Sequence, residues 1–178
     1  MSEGLNAQMT LTEKVLSSRN PNDNVYTPDK IARLIVAHFK PTGRILEPCK
    51  GKGAFLRALP EGTEWCEIEE GRDFFDWNQP VDWIVTNPPY SQFDAFMRHS
   101  FKLAENVVFV VPFSKVFKAN KTIKAIERNG GIAEILVLGD GRGCGFPFGF
   151  PTAAFYFKRD YHGPTQFTYA LQRGLPKP

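Results

Sequence analysis

The apolar run Val81-Asp82-Trp83-Ile84-Val85-Thr86 passes directly into Asn87-Pro88-Pro89-Tyr90. That junction constrains the chain more than any other stretch. Two consecutive prolines supply no ladder donors, so they cannot continue inside a sheet. A strand is therefore expected to stop at about Thr86, with Asn87 to Tyr90 as a rigid loop at its C-terminal end. In open α/β sheets that edge is where ligands bind. The loop offers an amide, a carbonyl from a residue of fixed φ and an aromatic ring. Those groups suit a flat ligand with an amino group: the ring stacks, and the two oxygens accept from the amine. A Pro-Pro turn with a capping Asn and a packing Tyr is the competing reading, because Asn-Pro is ordinary turn chemistry.

The chain has 178 residues, of which 42% are hydrophobic and 13% aromatic. That is enough for one domain with a sizeable core. No apolar run approaches the length of a membrane span, and the N-terminus carries no apolar signal core. Cys49, Cys66 and Cys144 fit neither a disulfide framework nor a zinc spacing, which points to a reducing cytoplasm and to no metal. A net charge of +3 is compatible with nucleic acid without requiring it.

Residues 1–24 are polar and turn-rich and read as a flexible arm, with residues 25–178 as a single domain. Thr27 and Pro28 look like the N-cap and first residue of a helix carrying Ile31, Leu34, Ile35 and Phe39, with His38 as a helix-end residue. Ile45 and Leu46 then form a short buried strand. Glu47 to Gly53 make a glycine turn, and Ala54 to Leu59 open a helix. Strand, glycine turn and helix form the first unit of a doubly wound fold. Gly51 and Gly53 let backbone approach a ligand closely, and Glu47 at the strand end would repel phosphate and attract an ammonium group.

Residues 64–69 read as a second strand. Glu67 or Glu69 falls where nucleoside-binding folds hold a ribose hydroxyl. Asp73 follows so soon that the usual crossover helix has no room; it would accept from a ring amine while Phe74 packs on the ring. Phe93 to Ala104 suggest an amphipathic helix, Val107 to Val111 a central strand ended by Pro112, and residues 114–128 one lysine-rich helix. Residues 132–138 and 153–158 are expected to form an antiparallel strand pair. Between them lies a stretch rich in glycine and phenylalanine that reads as a loop. Its Phe146 and Phe148 either wall a flat ligand or plug the sheet end.

These motifs together resemble the class I S-adenosylmethionine-dependent methyltransferases, in particular the amino-methyltransferases of the DNA adenine N6 type, from Tyr26 onward. Val25-Tyr26-Thr27-Pro28 is similar to the motif at the methionine end of the cofactor. Leu46-Glu47-Pro48-Cys49-Lys50-Gly51-Lys52-Gly53-Ala54-Phe55 resembles the cofactor loop. Cys66 to Glu69 resembles the ribose motif and favours Glu67; Asp73-Phe74 resembles the adenine pair, and Asn87 to Tyr90 the catalytic tetrapeptide.

The resemblance implies a Rossmann-like fold: a mainly parallel sheet with helices on both faces and an antiparallel C-terminal strand pair. It implies S-adenosylmethionine bound by Tyr26, Thr27, Glu47, Pro48, Gly51, Gly53, Glu67, Asp73 and Phe74. Asn87, Pro88 and Tyr90 would act on an exocyclic amino nitrogen, most simply adenine N6 in DNA or RNA, with Tyr90, Phe146 and Phe148 against the base. The Asn-Pro-Pro-Tyr motif is shared with enzymes that methylate glutamine in proteins, and a cofactor-binding subunit without activity is a further alternative. About twenty residues follow Lys158, so no target-recognition domain is expected. That favours an exposed or single-stranded substrate, a separate specificity subunit or a homo-oligomer.

Overall fold

The computed structural model describes residues 25–170; the expected arm at 1–24 lies outside the described residues. The elements in chain order are α1 (Asp29–Phe39), β1 (Ile45–Glu47), β2 (Glu64–Trp65), β3 (Val81–Thr86), α2 (Phe93–Leu103) and β4 (Ala104–Pro112), followed by α3 (Phe113–Phe117), α4 (Asn120–Asn129), β5 (Gly130–Asp140), α5 (Gly141–Cys144), β6 (Pro151–Arg159) and β7 (Gln166–Tyr169). The strands form one sheet in the order β2-β1-β3-β4-β6-β5-β7. β1 runs parallel to β2 and β3, and β3 parallel to β4. β6 lies antiparallel to both β4 and β5, and β7 is parallel to β5. The doubly wound, mainly parallel sheet with an antiparallel pair is therefore present. Among the described residues no helix is long and apolar enough to cross a membrane.

The two-residue period of the strands builds two cores, one on each face of the sheet. Val107, Phe109 and Val111 face one side with Ile84, Phe155 and Phe157, covered by Phe93, Phe96, Met97 and Phe101 of α2 and Ile126 of α4. Val108 and Val110 face the other with Val85 and Ala154, covered by Ile31, Ala32 and Ile35 of α1.

Several elements differ from expectation. α1 starts one residue late: Pro28 is its N-cap and the Pro28 carbonyl accepts from Ile31 and Ala32, while Thr27 stays outside. Residues 54–59 are not a helix but a single turn held by Arg57 N–H to Gly53 and Leu59 N–H to Phe55. The second strand stops at Trp65. The chain then folds into a short 3₁₀ turn over Ile68–Glu70, joined across its base by a bridge between Glu67 and Arg72, and no crossover helix is present there.

The lysine-rich segment is two helices, because Ala119 is extended (φ −125°, ψ 129°) and caps α4 with its carbonyl. The glycine-rich stretch is shorter than expected. β5 runs on to Asp140, whose side chain accepts from Gly143 N–H and caps α5. β7 was not anticipated: Phe167 and Tyr169 point to solvent, so the segment shows no buried alternation.

Phe109 is fully buried in the middle of β4. Phe109→Ala should lower unfolding free energy by ~3–5 kcal/mol in urea denaturation; a loss below 1 kcal/mol would contradict this packing.

Candidate active site

The C-terminal ends of β1 and β3 open onto a cleft of about 920 Å³, solvent at its mouth included. Its walls come from four places: Val25 to Thr27 ahead of α1, the turn from Pro48 to Phe55, the segment from Glu67 to Phe75, and Asn87 to Phe96 after β3. The sequence motifs, scattered over about seventy residues, thus converge on one edge of the sheet, as the switch-point rule requires.

The glycine turn needs its glycines. Gly51 has φ +49°, and a Cβ there would lie 3.1 Å from the Tyr26 ring. Gly51 N–H donates to Glu67 Oε2 at 2.7 Å, so the acid after β2 organises the turn as well as facing the cleft. Glu67 Oε1 accepts from Glu69 N–H. Lys52 lies over Tyr26 (4.5 Å to the ring centre) and closes that corner.

Asp73 Oδ1 accepts from Phe75 N–H at 2.9 Å, while Oδ2 is buried without a partner. Beside it Phe74 stacks on Phe96 (5.0 Å, 26°). A buried acceptor beside aromatic faces suits a flat ring with an amino group, because an unmade buried bond is costly.

Asn87 is held by its amide nitrogen, which donates to the Val25 carbonyl at 2.9 Å. This fixes the flip of the side chain and leaves Oδ1 as a buried acceptor without a partner, on a residue that lines the cleft. Pro89 completes that wall. Tyr90 sits just outside it, with its ring against the edge of Phe148 (5.9 Å, 69°) and Lys115 above it at 5.9 Å.

Glu47 does not line the cleft. It is buried at 1% exposure, one layer behind, where Oε1 accepts from the Thr86 hydroxyl and from Cys49 N–H. Burial pushes its carboxyl group up to about 8, against the lowering effect of both donors, and Glu67 adds to the rise. Glu47 thus holds its proton near pH 7 in this structure and ties the end of β3 to the glycine turn from one layer behind the cleft, rather than standing in the wall at the strand end as expected. Gly53 is also outside the lining and serves the turn.

Phe146 is core at 3% exposure and backs Phe148 (5.4 Å, 15°), so of the two expected rings it is Phe148 that meets Tyr90. Tyr26, Thr27, Pro48, Gly51, Glu67, Asp73, Phe74 and Asn87 all lie in the cleft wall. Sequence reasoning placed Val25 in the motif beside Tyr26 but missed the role of its carbonyl in orienting Asn87. It also missed Phe75 and Phe96 as lining residues; Phe96 has the same helical spacing as a core residue.

No protein-family profile matches this chain, and no curated protein does. Solved structures do. The methyltransferase subunit of a type I restriction-modification system from Streptococcus thermophilus superposes with a TM-score of 0.63 at 17% identity, over 87% of this chain and 49% of its own. A putative RNA methyltransferase from Pyrococcus horikoshii gives 0.57 at 14%, over 85% and 99%. The 23S rRNA methyltransferase ErmE gives 0.59 at 17%, over 78% and 72%. The fold is therefore the Rossmann-like fold of class I methyltransferases. The chain spans about half the length of the type I subunits it matches.

The neutral state of Glu47 has a consequence for stability. The unfolded chain releases this proton near the ordinary glutamate range, whereas the folded chain keeps it until about pH 8. Stability from this group is thus complete below the ordinary range and is lost as pH rises towards 8. Denaturation curves of wild type should lose ground to those of Glu47→Gln between pH 5 and 8; curves that stay parallel would show that Glu47 is ionised in the fold.

Proposed function

We propose that the chain transfers a methyl group from S-adenosylmethionine to an exocyclic amino nitrogen, that of adenine N6 in a nucleic acid. The carrying observation is Asn87: its nitrogen is tied to Val25 and its oxygen is a buried, unpartnered acceptor in the cleft wall. When bound, the cofactor supplies an electrophilic sulfonium methyl group. Asp73 Oδ2 and the Phe74–Phe96 pair suit its adenine, Glu67 its ribose hydroxyls, and the Gly51 turn with Tyr26 and Thr27 the remainder. The unpartnered Asp73 Oδ2 beside the Phe74–Phe96 pair is the observation that supports this fit.

An adenine amine is a poor nucleophile because its lone pair is delocalised into the ring. Asn87 Oδ1 accepts one of its hydrogens and the Pro88 carbonyl the other. With both held, the nitrogen can pyramidalise and present its lone pair in line; an N–C bond would form as the sulfonium C–S bond breaks, S-adenosylhomocysteine would leave, and one amine proton would be lost to water. Orientation accounts for most of the rate. The target base stacks on Tyr90, with Phe148 fixing that ring from its edge. In a duplex the base would have to be extruded first. Lys115 above Tyr90 and the neighbouring aromatic rings favour a nucleic-acid base over a glutamine side chain. The type I subunits among the structural neighbours support a chain that works with a separate specificity subunit.

Asn87→Ala removes one acceptor of the amine together with the bond to the Val25 carbonyl. Methyl transfer to adenine-containing oligonucleotides should fall by roughly 100-fold or more, by analogy with loss of one preorganised polar contact. Cofactor affinity by calorimetry should change far less than turnover; normal turnover would remove Asn87 from the chemistry. Glu67→Ala loses both the ribose acceptor and the Gly51 contact, so cofactor binding should weaken by ~1–3 kcal/mol. Unchanged affinity would take the ribose site away from Glu67.

A further inference from the structure

Phe146, Phe148 and Phe150 alternate with Pro147, Gly149 and Pro151. The stretch between α5 and β6 bends at Pro147, Phe148 and Phe150 rather than running as a strand, so it is ring contacts that bring the three side chains together. The three rings form a column. Phe146 lies on Phe148 at 5.4 Å and 15°, and Phe148 on Phe150 at 5.8 Å and 30°. The column is anchored in the core at Phe146, touches Tyr90 at Phe148, and ends in solvent at Phe150, which is 62% exposed. A large apolar ring held in register with the site yet left in water has no packing role at its outer face.

Two cations lie along this surface. The Arg142 guanidinium lies against Gly149, 3.7 Å from where a Cβ would stand, and Lys115 sits over Tyr90. Asp140, the acid of this loop, directs Oδ1 to Gly143 N–H. Stacked aromatic rings flanked by cations match a strand of unpaired bases on a phosphate backbone.

We infer that Phe150 is a stacking post for single-stranded nucleic acid, holding the nucleotide next to the target base while Arg142 and Lys115 face its phosphates. The inference rests on the methyl-transfer reading only in taking the target base to lie at Tyr90. A duplex would present no free base face to Phe150, so the post selects unpaired strands.

The test is fluorescence anisotropy of the full chain, saturated with S-adenosylhomocysteine, on a labelled single-stranded oligonucleotide with one adenine. Phe150→Ala should weaken binding by about 5- to 150-fold, the range for loss of one base–aromatic stack, and Phe150→Trp should restore it. Melting temperature and cofactor affinity should not change, since the ring is outside the core and the cleft. An oligonucleotide with abasic positions flanking the adenine should bind wild type as weakly as Phe150→Ala, with no further loss in the variant. Wild-type affinity in Phe150→Ala, an undiminished Phe150→Ala loss on the abasic strand, or equal affinity for duplex would each overturn the inference. Phe150-dependent binding with no methyl transfer would instead count against the proposed reaction and leave the stacking post standing.

Discussion

The buried carboxyl group of Glu47 is the interaction on which the site depends. It stands at the end of β1 and accepts from Thr86 at the end of β3 and from Cys49 in the glycine turn. Thr86 is the residue before Asn87, so a single oxygen sets the distance between the cofactor loop and the proposed catalytic loop. Both donors address the same oxygen, Oε1. A charged group in this position would carry a large desolvation cost; neutralisation avoids most of it. The Val25 carbonyl does the corresponding work on the other side by holding the Asn87 amide, so the orientation of the loop is set from two directions.

The other constraint is economy at the β2 edge. The link from Glu67 to Asp73 leaves no room for a crossover helix, and β2 itself pairs over only two residues. The edge is closed instead by side chains. The Trp65 ring has Lys50 over it at 4.1 Å and Arg72 at 4.0 Å, and Lys50 also pairs with Glu70. The 3₁₀ turn is held by Glu67, which at the same time grips Gly51. One acid thus replaces part of what a helix would do: it positions the glycine turn and remains in the cleft wall. The cation–aromatic layers cover a ladder that would otherwise invite pairing with another chain.

What was legible in the sequence follows the range of the forces involved. The end of β3 at Thr86 was legible because proline has no donor. The two cores were legible because period-two alternation in Val107 to Val111 is local. The antiparallel pairing of β5 with β6 followed from two β-branched and aromatic runs separated by a turn-rich stretch. Glu47 was misread because its burial depends on Thr86, which lies far along the chain. The split between α3 and α4 leaves no Gly or Pro signal: Phe113 and Phe117 both pack on Phe155, while Thr122 is drawn to Asp94 of α2. β7 was invisible because its large side chains face water, and only its parallel register with β5 defines it. The phenylalanine loop was recognised as aromatic, but its division into an anchor, a contact and an exposed end appears only once the rings are stacked.

The central claim is that the Asn87 oxygen, with the Pro88 carbonyl proposed beside it, directs methyl transfer to an adenine amine. The most direct measurement is mass spectrometry of nucleic acid and protein incubated with the chain and methyl-labelled S-adenosylmethionine. The account predicts label in N6-methyladenine, with none on ring nitrogens, carbon or side-chain amides. Label in N5-methylglutamine alone would keep the two acceptors and contradict the nucleic-acid substrate. Label confined to a ring nitrogen or carbon would contradict the role of Asn87 and with it the account.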